Sequence, residues 1–319
     1  MSQCILEIRN LYKEYISKNG SILANDNINL SINKGEIIAF LGPNGAGKST
    51  LIKQIIGYLS PTSGTIELFG ENIQNKKEDM LDKIGYMMQS RYDHWDHLSV
   101  KDALFYTGRL KKLSKSEIKE QMNYLTEKLE LTGELDRIIS YLSGGKRQSV
   151  ALACAVIGNP EIVILDEPTN GLDPEKRMVL WNFLKELNSE RQTTIIIITH
   201  NVNEIESISD RVIIVGHAKV LRDGTPAELR EELKNKMRIE INFENDQIFK
   251  NGFTIEEFHS VWSEDKQTIY IYVSEQDAVT CLSNILNNKN INADVKNIQF
   301  YKPTLEDIYI KVMGEKIND

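Results

Sequence analysis

Nine consecutive residues, Gly42-Pro43-Asn44-Gly45-Ala46-Gly47-Lys48-Ser49-Thr50, carry the most readable chemistry in this 319-residue chain. They fit G-x-x-x-x-G-K-[ST]. Glycines let a backbone wrap closely around an anion, inward N–H groups ligate it, and a helix N-terminus adds partial positive charge. In such a loop Lys48 reaches terminal phosphates and the Ser49 hydroxyl ligates Mg²⁺. The flanks agree, with Ile37-Ile38-Ala39-Phe40-Leu41 reading as a strand leading in and Leu51-Ile52-Lys53-Gln54-Ile55-Ile56 as a helix leading out. A glycine-rich turn that binds nothing has no need of every fixed position in that context, so nucleotide binding is expected.

Asp166-Glu167 follow directly on a second apolar run, Ile162-Val163-Ile164-Leu165. In open α/β sheets ligand chemistry collects at the carboxyl ends of strands. An acid there can hold Mg²⁺, usually through water, and a second carboxylate can orient the water that attacks a γ-phosphate. Such a pair can also be a plain strand-ending turn. Downstream of a phosphate loop the catalytic reading is preferred. His200 follows the run Thr194-Ile195-Ile196-Ile197-Ile198 through Thr199. Spacing alone leaves two readings for it, a contact to the γ-phosphate or attacking water, and a satisfied strand-end histidine. Leu142-Ser143-Gly144-Gly145-Lys146-Arg147-Gln148 precedes an apolar helix at 150–156. It offers a hydroxyl, free N–H groups and a helix dipole, which makes a second anion site as well as a capped helix start.

The elements that must position these groups read as an α/β core. Residues 4–8 and 28–32 alternate as half-buried strands around a turn-rich stretch at 18–21, and 65–69 follows as another strand. Between 98 and 142 the texture is helical. Ser99 with Asp102 forms a capping pair, Ser114 with Glu117 a capping box, and Ile118, Met122, Leu125 and Leu129 an apolar stripe. The runs at 162–165 and 194–198 are apolar throughout, as in a parallel sheet covered on both faces, with a helix expected between them at 175–188. A hairpin is expected around Gly216-His217. Pro226 opens a charged helix at 227–236 that ends the first domain. Beyond it, alternating runs at 239–243 and 268–273 with helical runs at 277–287 and 305–313 suit a small α+β appendage.

Hydrophobic content of 41% and charged content of 26% suit a soluble globular protein with room for a large core and a smaller domain. The net charge of -8 argues against a dedicated nucleic-acid binder, although it leaves a local basic patch open. Cys4, Cys154 and Cys281 are far apart and suit a reducing cytoplasm, not a disulfide frame or zinc site. Charged residues interrupt any N-terminal apolar run, and no run of eighteen apolar residues occurs, so a membrane role is expected only through a partner.

Together these residues resemble the ATP-binding-cassette (ABC) ATPases over roughly residues 3–230. Leu142–Gln148 matches the family signature, Asp166-Glu167-Pro168 its Walker B acid and glutamate, Gly171-Leu172-Asp173-Pro174 its D-loop, and Thr199-His200 its switch histidine. Gly85-Tyr86-Met87-Met88-Gln89 matches the segment whose glutamine contacts Mg²⁺ and senses the γ-phosphate. Tyr15 matches the aromatic that stacks on adenine, with a core tyrosine at a strand end as the other reading.

The resemblance implies a P-loop cassette at 1–235, with an inserted helical subdomain at about 90–160, and an α+β accessory domain at 236–319. It implies ATP and Mg²⁺ as cofactors, with Ser49, Gln89 and Asp166 at the metal. It also implies head-to-tail pairing with a second cassette, as a homodimer or heterodimer. Each ATP then lies between one subunit's phosphate loop and the other's Ser143, Gly144 and Gly145, with Asp173 at the junction; Glu167 acts on water, and His200 and Gln89 read the γ-phosphate.

There is no room between Thr50 and Leu142 for a long coiled coil, only one cassette is present, and no N-K-x-D is found. These exclude the chromosome-structure and translation-factor members and the small GTPases, and leave a transporter ATPase. It would sit at the cytoplasmic face of the cell membrane through an integral membrane subunit. The segment 303–314, opening Pro303-Thr304-Leu305-Glu306-Asp307, resembles the terminal segment of bacterial drug- and antibiotic-exporter ATPases; as plain sequence it is a capped terminal helix. Residues 90–97, with Tyr92 and Trp95, read as a docking surface in preference to a metal site.

Overall fold

The computed structural model describes residues 3–17, 20–75, 80, 82–88, 95–234, 236–250, 258–263, 265–287 and 294–314. They form two compact units, Met1–Thr225 and Pro226–Asp319, so the break falls before the proline, not after residue 235.

The first unit opens with a long hairpin, β1 (Cys4–Ser17) and β2 (Gly20–Asn33). Strand β3 (Ile37–Leu41) leads through the glycine-rich loop into α1 (Lys48–Ile55). Strands β4 (Ser63–Leu68) and β5 (Glu71–Asn72) extend the hairpin into an antiparallel sheet of order β2-β1-β4-β5. Next come β6 (Ile84–Met87), the helices α2 (Val100–Leu110), α3 (Lys115–Lys128) and α4 (Gly144–Val156), then β7 (Ile162–Asp166). The unit closes with α5 (Pro174–Arg191), β8 (Thr194–Thr199), β9 (Arg211–Gly216) and β10 (Lys219–Gly224).

The second sheet has the order β10-β9-β3-β8-β7-β6, parallel except for β10. Every residue of β3, β7 and β8 is buried, which is why they read as unbroken apolar runs. The β9–β10 turn places His217 (φ 49°) and Ala218 (φ 65°) in the left-handed region, the geometry that matches the twist of a two-residue hairpin. One core joins the two sheets: Ile5, Ile8 and Ile28 of the hairpin, Ile38 and Phe40 of β3, and Leu51, Ile52 and Ile55 of α1. The phosphate loop is therefore tied to both layers.

In the helical insertion Ser99 caps α2 through the Asp102 N–H, and Ser114 with Glu117 makes both bonds of the capping box on α3. Ile118, Met122, Leu125 and Leu129 are all buried. Helix α4 packs against β6 so closely that a Cβ on Gly85 would lie 1.9 Å from the Ala155 carbonyl oxygen. Glycine is required there.

In the second unit α6 (Pro226–Glu231) is shorter than the expected 227–236 helix. Single-turn bonds from Glu232, Leu233 and Lys234 end it, and β11 (Lys236–Phe243) begins where that helix was expected to finish. With β12 (His259–Trp262), β13 (Thr268–Ser274) and β14 (Val295–Tyr301) it forms an antiparallel sheet of order β12-β13-β11-β14. Helix α7 (Ala278–Asn287) covers Ile239, Ile241, Ile269 and Ile271 on one face.

Helix α8 (Leu305–Gly314) brings Asp307, fully buried, to Arg238 Nη1 at 2.7 Å and the Tyr272 hydroxyl at 3.0 Å. The other Asp307 oxygen accepts from the Thr304 N–H (2.6 Å) and hydroxyl (3.0 Å). Removing one partner of a buried ion pair strands the other. Asp307→Ala is expected to cost this unit about 3 kcal/mol or more, seen in chemical unfolding followed through Trp262. A loss below about 1 kcal/mol would mean that water replaces the carboxylate freely.

Candidate functional site

The glycine-rich loop is shaped by backbone it cannot move away from. A Cβ on Gly42 would lie 2.2 Å from the Val215 carbonyl oxygen in β9, and one on Gly47 (φ 101°) 2.1 Å from that of Ala24 in β2. Asn25, fully buried, donates to the Gly47 carbonyl at 3.3 Å and accepts from Gln54 Nε2 at 2.7 Å. Lys48 is folded onto the loop, donating to the carbonyls of Gly42 (2.5 Å) and Pro43 (3.0 Å). Burial lowers the pKa of its ammonium, while Glu167 and Asp166 work the other way. Asn44, Gly45 and Ser49 are exposed and Ala46 is buried.

Tyr15 joins the loop in one recess of about 240 Å³, lined with Ile22, Leu23, Ala24 and residues 44–50. Its ring is 41% exposed, open to a stacking partner, with Lys13 Nζ 5.2 Å from its centroid. This recess is smaller than the roughly 300–1,000 Å³ of pockets that enclose their ligand. A larger hollow of about 440 Å³, lined by Lys101, Phe105, Ile118 and Met122, involves none of these residues.

The carboxylates stand at the end of β7, two strands from β3. Burial, with the charge of Glu167, pushes the Asp166 carboxyl up to about 6, against the pull of Lys48 and Lys53. Glu167 is left-handed (φ 51°), its N–H bonded to the Ile198 carbonyl at 2.8 Å. One carboxylate oxygen accepts from the Thr199 hydroxyl at 3.1 Å, and the other lies 2.7 Å from His200 Nδ1. A carboxylate only accepts, so Nδ1 carries the hydrogen and leaves Nε2 as the outward-facing nitrogen. Lys48, Asp166, Glu167 and His200 are thus brought together, as their motifs required. Gln89 lies outside the described residues, as do 90–94 of the expected docking segment.

Residues 143–145 are placed elsewhere. Ser143 caps α4 and, like Gly144, is exposed; Gly145 is half-buried. None of the three lines the recess at the phosphate loop; the start of α4 lies against the turn after β7, and its far end packs on β6 at Ala155. Asp173 caps α5, accepting from the Lys176 N–H at 2.9 Å. Among the described residues no three His, Cys, Asp or Glu side chains form a metal-binding group by themselves.

The family model described as ABC transporter matches residues 25–170. The "Spermidine/putrescine import ATP-binding protein PotA" of Borrelia garinii subsp. bavariensis is 38% identical over 74% of this chain and 67% of its own length. The chain belongs to the ABC transporter family. Cassettes of this family are ATPases, and the cassette here has their fold. "ABC transporter A family member 7" of Dictyostelium discoideum is 31% identical over 96% of this chain, which spans 37% of that relative's length. A solved structure titled as the dimeric, post-hydrolysis state of the cassette MJ0796 with ADP and Pi is 28% identical, with a TM-score of 0.62 over 69% of this chain and 98% of that one.

The cassette also makes bonds that the motifs did not announce, one of them from Gln148 at the end of the signature. Gln148 Nε2 donates to the carbonyls of Glu167 (3.2 Å) and Pro168 (2.9 Å). Arg177 ties the Leu172 carbonyl (2.9 Å) to Glu204 (2.7 Å), which also accepts from Asn201 at 2.6 Å. The only sequence signal for Gln54 is a polar residue inside an apolar stretch, and Asn25, first of the polar run Asn25-Asp26-Asn27, has none of its own. The loop geometry predicts a contrast between two glycines. Gly45 (φ 84°) has no neighbour within 4 Å of a built Cβ. Gly45→Ala should therefore cost the nucleotide-free cassette only left-handed strain, about 1–2 kcal/mol. Gly47→Ala adds the collision with β2 and should cost clearly more in chemical unfolding; equal losses would contradict the close packing.

Proposed function

We propose that this chain is the ATP-hydrolysing subunit of an exporter, driving a separate membrane subunit as two cassettes close on ATP and reopen after hydrolysis. The observation that carries this reading is the separation of two anion-binding devices within one unit. The recess at 44–50 is too small to enclose a nucleotide, and exposed Ser143 and Gly144 begin a helix whose first turns pack on the turn after β7, outside that recess. A second copy, placed head to tail, supplies to each nucleotide the donors its own loop lacks.

Within that pair Tyr15 stacks on adenine, residues 42–50 wrap the phosphates, and Lys48 exchanges the Gly42 and Pro43 carbonyls for phosphate oxygens. The partner's copy of the signature contributes the equivalents of Ser143, Gly144 and Gly145, beside Asp173. Asp166 and Ser49, with Gln89, suit Mg²⁺: a buried carboxyl held up near 6 is a ligand whose charge lacks a cation. When bound, the ion neutralises terminal phosphate charge. Glu167, fixed by Thr199 and His200, orients the attacking water and takes its proton, and His200 holds that carboxylate from its Nδ1 side beside the γ-phosphate.

Export is supported by the resemblance of the terminal segment 303–314; the A-family relative, whose alignment takes in 96% of the chain, is named for neither direction. PotA is named for import and aligns over 74%. Among the described residues no helix is long and apolar enough to cross a membrane, in keeping with a peripheral subunit at the cytoplasmic face.

Glu167→Gln should keep ATP affinity and lower kcat by about 10²–10⁴-fold. It should also accumulate an ATP-dependent dimer in size-exclusion chromatography. Undiminished phosphate release would remove Glu167 from the mechanism. Purification from membranes with a polytopic subunit supports transport; a free dimer with full, cargo-independent ATPase activity supports action on a soluble partner instead.

A further inference from the structure

The half-site offered to a partner and the machinery for the chain's own nucleotide meet at one buried side chain. Gln148 lies on α4, five residues after the capping Ser143, and is 7% exposed. Its amide nitrogen has two hydrogens, and it serves two carbonyls, those of Glu167 and Pro168. These belong to the turn that holds Glu167 left-handed, a backbone state a glutamate keeps only when its surroundings fix it. The same turn is gripped from the other side by the Ile198 carbonyl, which accepts the Glu167 N–H.

A second contact joins the same two segments. Gly145 sits so near Leu172 that a Cβ on it would be 3.3 Å from Leu172 Cδ2. Leu172 is buried, and its N–H bonds the Thr169 carbonyl in the turn after Glu167. The start of α4 therefore touches the catalytic turn at both its polar and its apolar end.

We propose that Gln148 is a positioning residue that couples occupancy of Ser143–Gly145 by the partner's nucleotide to the aim of this chain's own Glu167. The inference rests on the two-cassette reading above. A shift at the start of α4, when phosphate seats on it, is carried by a short, buried connection to the 167–168 carbonyls. The Glu167 carboxylate moves with its backbone relative to Thr199 and His200. Each nucleotide thereby senses the other, and the two sites fire together.

The test is steady-state hydrolysis by the full-length protein against ATP, with Gln148→Met removing the amide at similar volume. We expect kcat to fall on the order of 10- to 100-fold, as for misplacement of a reacting group. Affinity for a fluorescent ATP analogue should change less than about threefold, because the two carbonyls that Gln148 serves lie outside the phosphate loop. The Hill coefficient should fall from about two toward about one. Gln148→Glu, which cannot donate when ionised, should behave like Gln148→Met. Unchanged kcat and cooperativity in a folded Gln148→Met protein would overturn the inference, as would loss of affinity equal to the loss of kcat.

Should both glutamine variants fail to fold, Leu172→Ala removes the apolar contact and carries the same expectations and the same refutation. Specific activity measured against protein concentration separates the two readings. Activity independent of concentration down to monomer refutes pairing itself. Activity that rises with concentration while Gln148→Met and Leu172→Ala stay cooperative refutes only the coupling.

Discussion

Two backbone carbonyls, those of Ala24 in β2 and Val215 in β9, set the shape on which the rest of the cassette depends. They approach Gly47 and Gly42 so closely that no side chain fits between. The loop is thus moulded between a strand of the antiparallel sheet and a strand of the parallel one. It exists only while the two sheets are docked, and docking them is the task of the core that Ile8, Ile28, Phe40 and Leu51 share. Asn25 and Gln54 add a polar lock beneath the loop. They are fully buried amides whose bonds run to each other and to the loop and helix backbone. Fold stability and phosphate geometry are here a single property.

Electrostatics then decides how such a loop waits for its ligand. Lys48 is buried enough to disfavour its charge, and two loop carbonyls occupy its donors. Asp166 is buried enough to be held near 6 and is further opposed by Glu167. Each charge is costly alone, and neither is fully paired by the other. On the proposed reading a polyanion arriving with a dication would relieve both at once, phosphate oxygens replacing the carbonyls at Lys48 and the cation answering the carboxylate. Binding would then draw on relief of the empty site as well as on new contacts.

The reactive groups were legible in the sequence because each lies in a contiguous stretch with a local reason for its residues. Gly47 needs a left-handed backbone, Ser143 caps a helix, and Asp166-Glu167 end an apolar strand. The contacts that escaped are those whose partner lies far along the chain. Gln148, which the signature match includes without a contact of its own, reaches the carbonyls of Glu167 and Pro168, Arg177 reaches Glu204, and Arg238 reaches Asp307; nothing in their neighbours announces these partners. Only the two ends of the hairpin show in the sequence, because register shifts near Leu11 and Lys13 break its alternation. The helix expected at 227–236 stops at Glu231 because β11 claims the residues that follow, although Glu231, Glu232 and Lys234 suit a helix by propensity.

The terminal segment shows how a motif can carry a resemblance without carrying chemistry. Asp307, the acid at its centre, has both oxygens committed, one to Arg238 and Tyr272 and the other to Thr304. It has no exposed surface with which to meet cargo or nucleotide. Its work is to fasten α8 to β11 and β13, so the segment marks a kind of accessory unit, not a binding site. In the first unit the described polar side chains of the site converge on the glycine-rich loop and the Glu167 carboxylate, so on the proposed reading what this chain would give a transporter is the timing of closure and release.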